Sequence, residues 1–215
     1  MKKLFLLLLF CLIPWLSAFA ASKGVVEVSL SPQDHADITR IEAYLNDLKN
    51  ASADFMQIDE SGGIMRGTIA IERPGKMRVD YAPPSKDFII ADGDHVHIWN
   101  DDLHEQTNVE QGSSLAEFIL RDPIKLKGDV VVTRFKRSPA RFEMTLVQAS
   151  DEANGQLTLV FEDNPLKLRQ WKVLDPQGHM TTVSLENLQY DVSFPSKIFH
   201  FVPPHFGETK GTQAP

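Results

Sequence analysis

Cysteine is almost absent from this chain. The single one in 215 residues is Cys11, and it lies in a segment that reads as disposable. Met1-Lys2-Lys3 is basic, Leu4 to Leu16 is apolar, and Ala18-Phe19-Ala20 supplies a small-x-small ending. That pattern is a secretory signal peptide over residues 1–20, with cleavage before Ala21. The apolar run is short for a retained membrane span. Cleavage removes Cys11, so the remaining chain is expected to have no disulfide, thiol chemistry or cysteine metal site. With no cysteine after the cleavage point to carry a lipid anchor, the expected location is beyond the inner membrane, in a bacterial periplasm or outside the cell.

Positive charge is also in short supply. Lys and Arg total 22 against 29 Asp and Glu, a net charge of −7, and losing Lys2 and Lys3 takes −7 to −9. An acidic chain argues against nucleic acid and anionic membrane surfaces as main partners. Also missing are a Gly-x-Ser-x-Gly elbow, a phosphate loop, an internal repeat and a second long apolar run. Asp101-Asp102 and Glu162-Asp163 sit beside turn signals and read as solvated charge, so no catalytic residue is assigned. What remains is one domain over 21–206, about 190 residues and enough for a real core. Residues 207–215, with Gly, Thr, Lys and Pro, read as a flexible tail.

Patterned elements fill that domain. Ser31-Pro32-Gln33-Asp34 is a capped helix start, and Ile38, Ile41, Leu45 and Leu48 recur at helical spacing, predicting one amphipathic helix to about Asn50. The period then changes to two. Strands are predicted over 51–58, 64–71, 77–81, 88–90, 95–99, 103–109, 130–135, 141–147, 156–161, 168–174 and 180–190, with a last short strand at Phe199-His200-Phe201. Leu115, Phe118 and Ile119 form a short helix behind possible caps at Ser113 or Ser114, stopped by Asp122-Pro123. Consecutive hairpins imply an antiparallel meander of about ten strands that curls toward a barrel. The expected fold is mainly β, an incomplete antiparallel barrel whose two helices cover a hydrophobic cavity.

One residue breaks the pattern. Ile69, Ile71 and Arg73 share a strand parity, and after the Pro74-Gly75 turn so do Met77, Val79 and Tyr81. Arg73 thus follows an apolar face. It either ends the strand and snorkels to water, or aims a cation at a greasy interior where it needs acceptors. His95 and His97, two apart on a strand, share a face and are the best metal pair among seven histidines, but no motif supplies a third ligand. No metal and no cofactor is expected.

Several segments together resemble the LolA family of periplasmic lipoprotein carriers. They are Phe55-Met56-Gln57, Gly67 through Arg73-Pro74 and the following strand, and Ala91-Asp92-Gly93 with His95 to Asn100. Leu157-x-Leu159-x-Phe161 through Pro165-Leu166, Trp171-x-Val173, and Phe199-x-Phe201-x-Pro203-Pro204 come after them in order. The resemblance covers nearly the whole chain after residue 20. It implies a lidded, unclosed barrel that receives the acyl chains of lipoproteins from an inner-membrane ABC-type exporter. It also implies a monomer that passes them to an outer-membrane acceptor, LolB-like if one exists. Arg73 would latch the empty lid through carbonyls near Leu45, Ile119 and Leu120. The expected cavity lining is Ile41, Phe55, Ile69, Ile71, Met77, Val79, Tyr81, Val96, Ile98, Leu115 and Phe118. Met77 and Val79 stand where family members often carry bulky aromatics, which implies a wider, softer cavity. The competing reading is a lidded half-barrel that binds or senses a fatty acid or glycolipid.

Overall fold

The computed structural model describes residues 25, 27–112 and 115–204. The expected signal peptide, the caps at Ser113 and Ser114 and the tail 207–215 lie outside the described residues.

Helix α1 runs Pro32–Asp47. Its start is a capping box: the Asp34 N–H donates to Ser31 Oγ at 3.2 Å, and the Ser31 N–H donates to Asp34 Oδ2 at 3.0 Å. The helix ends three residues before the expected Asn50, because the sheet claims the next stretch of chain. Asn50 pairs with Glu72, and the Lys49 carbonyl accepts the Arg73 N–H at 2.9 Å. Ile41 and Leu45 on the inner face are buried.

Eleven strands form one antiparallel sheet. They are β1 (Asn50–Ile58), β2 (Ile64–Glu72), β3 (Lys76–Tyr81), β4 (Phe88–Asp92), β5 (His95–Asn100), β6 (Glu105–Glu110), β7 (Val130–Ser138), β8 (Arg141–Gln148), β9 (Gln156–Glu162), β10 (Lys167–Leu174) and β11 (Met180–Tyr190). Their spatial order is β6-β5-β4-β3-β2-β1-β11-β10-β9-β8-β7. Two hairpin meanders therefore meet along β1 and β11, and β6 and β7 stay apart at opposite edges, so the barrel does not close. The chain crosses from β6 to β7 through a 3₁₀ helix, Leu115–Leu120. The inner faces of both meanders, α1 and this 3₁₀ helix contribute to one buried apolar cluster. A sheet this wide with one apolar face curls around whatever covers it.

Two expectations need correction. The strand after β5 begins at Glu105, and Leu103 sits in the exposed turn before it. Phe199-His200-Phe201 is not a strand, because Ser196–Phe199 is a 3₁₀ turn following Pro195. The aromatic alternation there serves packing on the outer face of the sheet. Phe199 is buried, and Phe201 lies 5.7 Å from Phe88 and 5.0 Å from His97, ring centre to ring centre.

Candidate functional site

The β2–β3 hairpin carries Arg73 at its tip, and the side chain is 6% exposed. Its parity turns it inward with Ile69 and Ile71, beneath the C-terminal end of α1. There the last helical carbonyls have no helical partner. Nε donates to the Leu48 carbonyl at 2.7 Å, Nη2 reaches the Leu45 and Leu48 carbonyls, and Nη1 donates to the Arg121 carbonyl at 3.1 Å. The planar fork suits such convergent acceptors, and the helix C-terminus carries partial negative charge. Burial lowers the Arg73 pKa, opposed by the nearby Asp122 carboxylate.

The tip is also stitched through its backbone. The Gly75 N–H donates to the Leu120 carbonyl, and Gln111 Nε2 donates to the Gly75 carbonyl, both at 2.9 Å. A side chain at Gly75 is excluded, since its φ is +77° and a Cβ would lie 2.9 Å from the Gly93 Cα.

The pieces of the cover are fastened to one another. Asn46 on α1 donates to the Ile124 carbonyl and accepts the Ile124 N–H, both at 2.9 Å. Glu42 Oε2 accepts the Leu126 N–H at 2.7 Å, and Lys49 Nζ lies 2.7 Å from both oxygens of Asp122. At the other end of α1, Arg137 on β7 holds Asp34 at 2.9 Å and Asp37 at 2.9 Å through Nε.

Two voids lie under and beside this cover. The one against Arg73 measures about 20 Å³ and is walled by Leu45, Leu48, Ile69, Ile71, Ile119, Trp171 and their neighbours. That is room for roughly one water, so the interior beneath Arg73 is filled by its own side chains. The second, about 270 Å³, lies on the concave face among Phe55, Gln57, Ile69, Met77, Val79, Tyr81, Ile89, Ile119, Trp171, Val173, Thr181 and Val183. Ile69, Ile119 and Trp171 belong to both walls and divide them. A close approach shapes the larger one. Gly67 sits between Phe55 and Tyr81 in the register, and a Cβ there would come within 2.1 Å of the Asp80 carbonyl oxygen and 2.7 Å of the Phe55 ring. The missing side chain lets Phe55 lie edge-on to Tyr81, with centroids 5.5 Å apart.

Of the expected lining, Ile41, Phe55, Ile69, Ile71, Val79, Leu115 and Phe118 fall in the buried cluster, and Met77, Tyr81 and Val96 pack half-buried against it. Ile98 pairs with Ile89 on the same face and is 37% exposed, on a strand next to the free edge strand β6. The latch acceptors also differ from expectation. Leu45 supplies one, but Leu48 and Arg121 supply the others. The Leu120 carbonyl is taken by Gly75, and Ile119 contributes its side chain to both voids. Sequence reasoning also missed the wall from the second meander, Trp171, Val173 and Val183. Their shared strand parity was the available signal.

His97 is engaged by protein groups. Nε2 lies 3.0 Å from Asp92 Oδ2 and Nδ1 lies 2.9 Å from Asn108 Oδ1. Burial lowers its pKa, but the bonds to Asp92 and Asn108 and the Asp92 charge outweigh it, for a net rise. Among the described residues no three His, Cys, Asp or Glu side chains group as a metal site.

The chain is similar to several known proteins over most of its length. An outer-membrane lipoprotein carrier protein of Alkalilimnicola ehrlichii is 31% identical over 181 residues, 79% of each chain. One of Methylococcus capsulatus is 26% identical over 174 residues, 77% of this chain and 83% of its own. An uncharacterized protein of Rickettsia prowazekii is 22% identical over 167 residues, 78% of this chain and 77% of its own. Among solved structures, a LolA superfamily protein of Nitrosomonas europaea aligns over 75% of this chain and 97% of its own, at 9% identity and a TM-score of 0.43. The family model described as outer membrane lipoprotein carrier protein LolA matches residues 46–202, from the end of α1 to the segment on the outer face, and the chain belongs to that family.

Proposed function

We propose that this protein is a periplasmic carrier of lipoproteins. It takes up acyl chains from an inner-membrane ABC-type exporter, holds them in the concave cavity as a monomer, and yields them to an outer-membrane acceptor. The observation that carries this reading is the buried guanidinium of Arg73, held at an apolar interior by carbonyls of the cover. Such a group is stable only while the cover is closed, because an unpaired buried charge is costly. Incoming acyl chains must break those bonds, and departing chains let them re-form.

That coupling answers the main problem of a shuttle. Each buried methylene contributes about 0.8 kcal/mol, so several acyl chains in a permanently open cavity would leave very slowly. A cover that prefers itself to the ligand lowers the affinity to a level that permits handover. No catalytic step is assigned in this reading.

The test is capture. The mature chain is expressed into a periplasm, purified without detergent and analysed by mass spectrometry for what accompanies it. Acylated lipoproteins bound at low occupancy are the expected result. Free fatty acid or glycolipid in their place would support the binding-module reading, and no lipid at all would remove the carrier reading.

A further inference from the structure

The larger void is lined by apolar side chains except for Gln57, Tyr81 and Thr181. Gln57 follows the parity of Phe55 on β1, and Tyr81 ends β3 two strands away. The Tyr81 hydroxyl donates to Gln57 Oε1 at 3.0 Å, and its ring is fixed edge-on against Phe55. Thr181 on β11 is the other polar member of the wall. The Tyr81 bond engages the amide oxygen of half-buried Gln57, and its Nε2 makes no hydrogen bond among the described residues. Around them stand Met77, Val79, Ile89, Trp171, Val173 and Val183. A few placed polar groups in an otherwise apolar pocket fix a ligand's orientation.

Building on the carrier reading, we infer that Gln57, oriented by Tyr81, is a subsite for the neutral acyl carbonyl oxygen of an ester- or amide-linked lipid. It would hold the polar end of the cargo at the mouth while the chains run toward Ile69 and the cover. The chemistry matches in sign. An ester carbonyl only accepts, and the site offers donors. A free carboxylate suits it poorly. No lysine or arginine lines this void, and Arg73 is engaged by the cover, so the charge would be desolvated without a counter-ion. Burial and the nearby Asp87 raise the Tyr81 pKa, which keeps its phenol neutral and able to donate. The site therefore favours acyl chains that are still attached to glycerol or to a peptide over free fatty acids.

The experiment compares three ligands on the full mature protein: a synthetic lipopeptide with two ester-linked palmitoyl chains, its dialkyl ether analogue of equal chain length, and palmitate. Competition against a fluorescent lipopeptide gives the ratio of affinities. One hydrogen bond predicts an ester preference over ether of about two- to tenfold in the wild type. Gln57→Met is expected to bring that ratio to near one. Tyr81→Phe, which keeps the ring against Phe55, is expected to reduce it by freeing the amide to turn, and thermal melts verify that both variants fold. A wild type without ester preference, a preference that survives Gln57→Met, or palmitate bound as tightly as the lipopeptide would overturn the subsite. Ester and ether bound equally would do so while leaving the carrier reading intact. Failure of the wild type to bind either lipopeptide would remove both.

Discussion

Replacing Arg73 with leucine removes the latch and leaves an apolar side chain of tolerable size in its place. Three carbonyls lose their donor: Leu45, Leu48 and Arg121. Hydrogen bonds to a charged group contribute about 1.5–3 kcal/mol each, and burying the guanidinium offsets much of the sum by several kcal/mol. The net bias toward the closed cover is then on the order of 2–4 kcal/mol. If, as proposed, only the open fraction binds, this bias weakens apparent affinity by roughly 30- to 1,000-fold, and Arg73→Leu is expected to restore that factor. Titration with a fluorescent dipalmitoyl lipopeptide reads the affinity, and amide exchange at Gly75, bonded to the Leu120 carbonyl, reads the cover. The variant is expected to bind tightly, exchange rapidly at Gly75, and pass its ligand to acceptor vesicles slowly. Arg73→Lys, with charge but no fork, falls between. An affinity within twofold of wild type together with unchanged Gly75 protection would refute the reasoning.

Three further outcomes are expected. Gly67→Ala forces a Cβ into the Asp80 carbonyl and the Phe55 ring and costs about 1–3 kcal/mol, measured as a lower melting temperature with weaker lipopeptide binding. Asn46→Leu leaves both Ile124 backbone groups without their side-chain partner and costs about 2 kcal/mol, and hydrogen exchange should show the Ile124 amide exposed before α1 unfolds. The pKa of His97 is raised in the folded protein above its ordinary 6.5. Its protonation therefore contributes stability that is complete below that value and is lost as pH rises through the folded pKa. Melting temperatures from about pH 5.5 to 8.5 should fall in the wild type, with a flatter profile in His97→Gln.

Side-chain patterns predicted much of this geometry and backbone atoms defeated the rest. Ser31-Pro32-Asp34 announces the helix start, and the parity of Ile69, Ile71 and Arg73 announces a cation on an apolar face. The acceptors for that cation are carbonyls, which every residue has, so nothing marks Leu48 and Arg121 in advance. The early end of α1 has the same origin, since the Lys49 carbonyl is claimed by the Arg73 amide. Ile98 has the inward parity, but its exposure follows from strand order, which puts β5 next to the free edge strand β6. Phe199 and Phe201 alternate like a strand but pack on the outer face without a ladder partner. The polar point at Gln57 was visible only as one letter of a motif, since its meaning depends on Tyr81 being carried to it by a different strand.

The seam between β1 and β11 has a kinetic consequence. Ala51 lies opposite Tyr190, so about two thirds of the chain separates two strands that must meet. Hairpins within each meander form from local contacts, whereas this seam waits for the last long strand. A chain emerging from its N-terminus completes β1 to β5 long before β11 arrives to pair with β1. That interval is when it is most prone to aggregate. Until then β1 offers an open strand edge, so slow emergence at low concentration should improve the yield of folded protein.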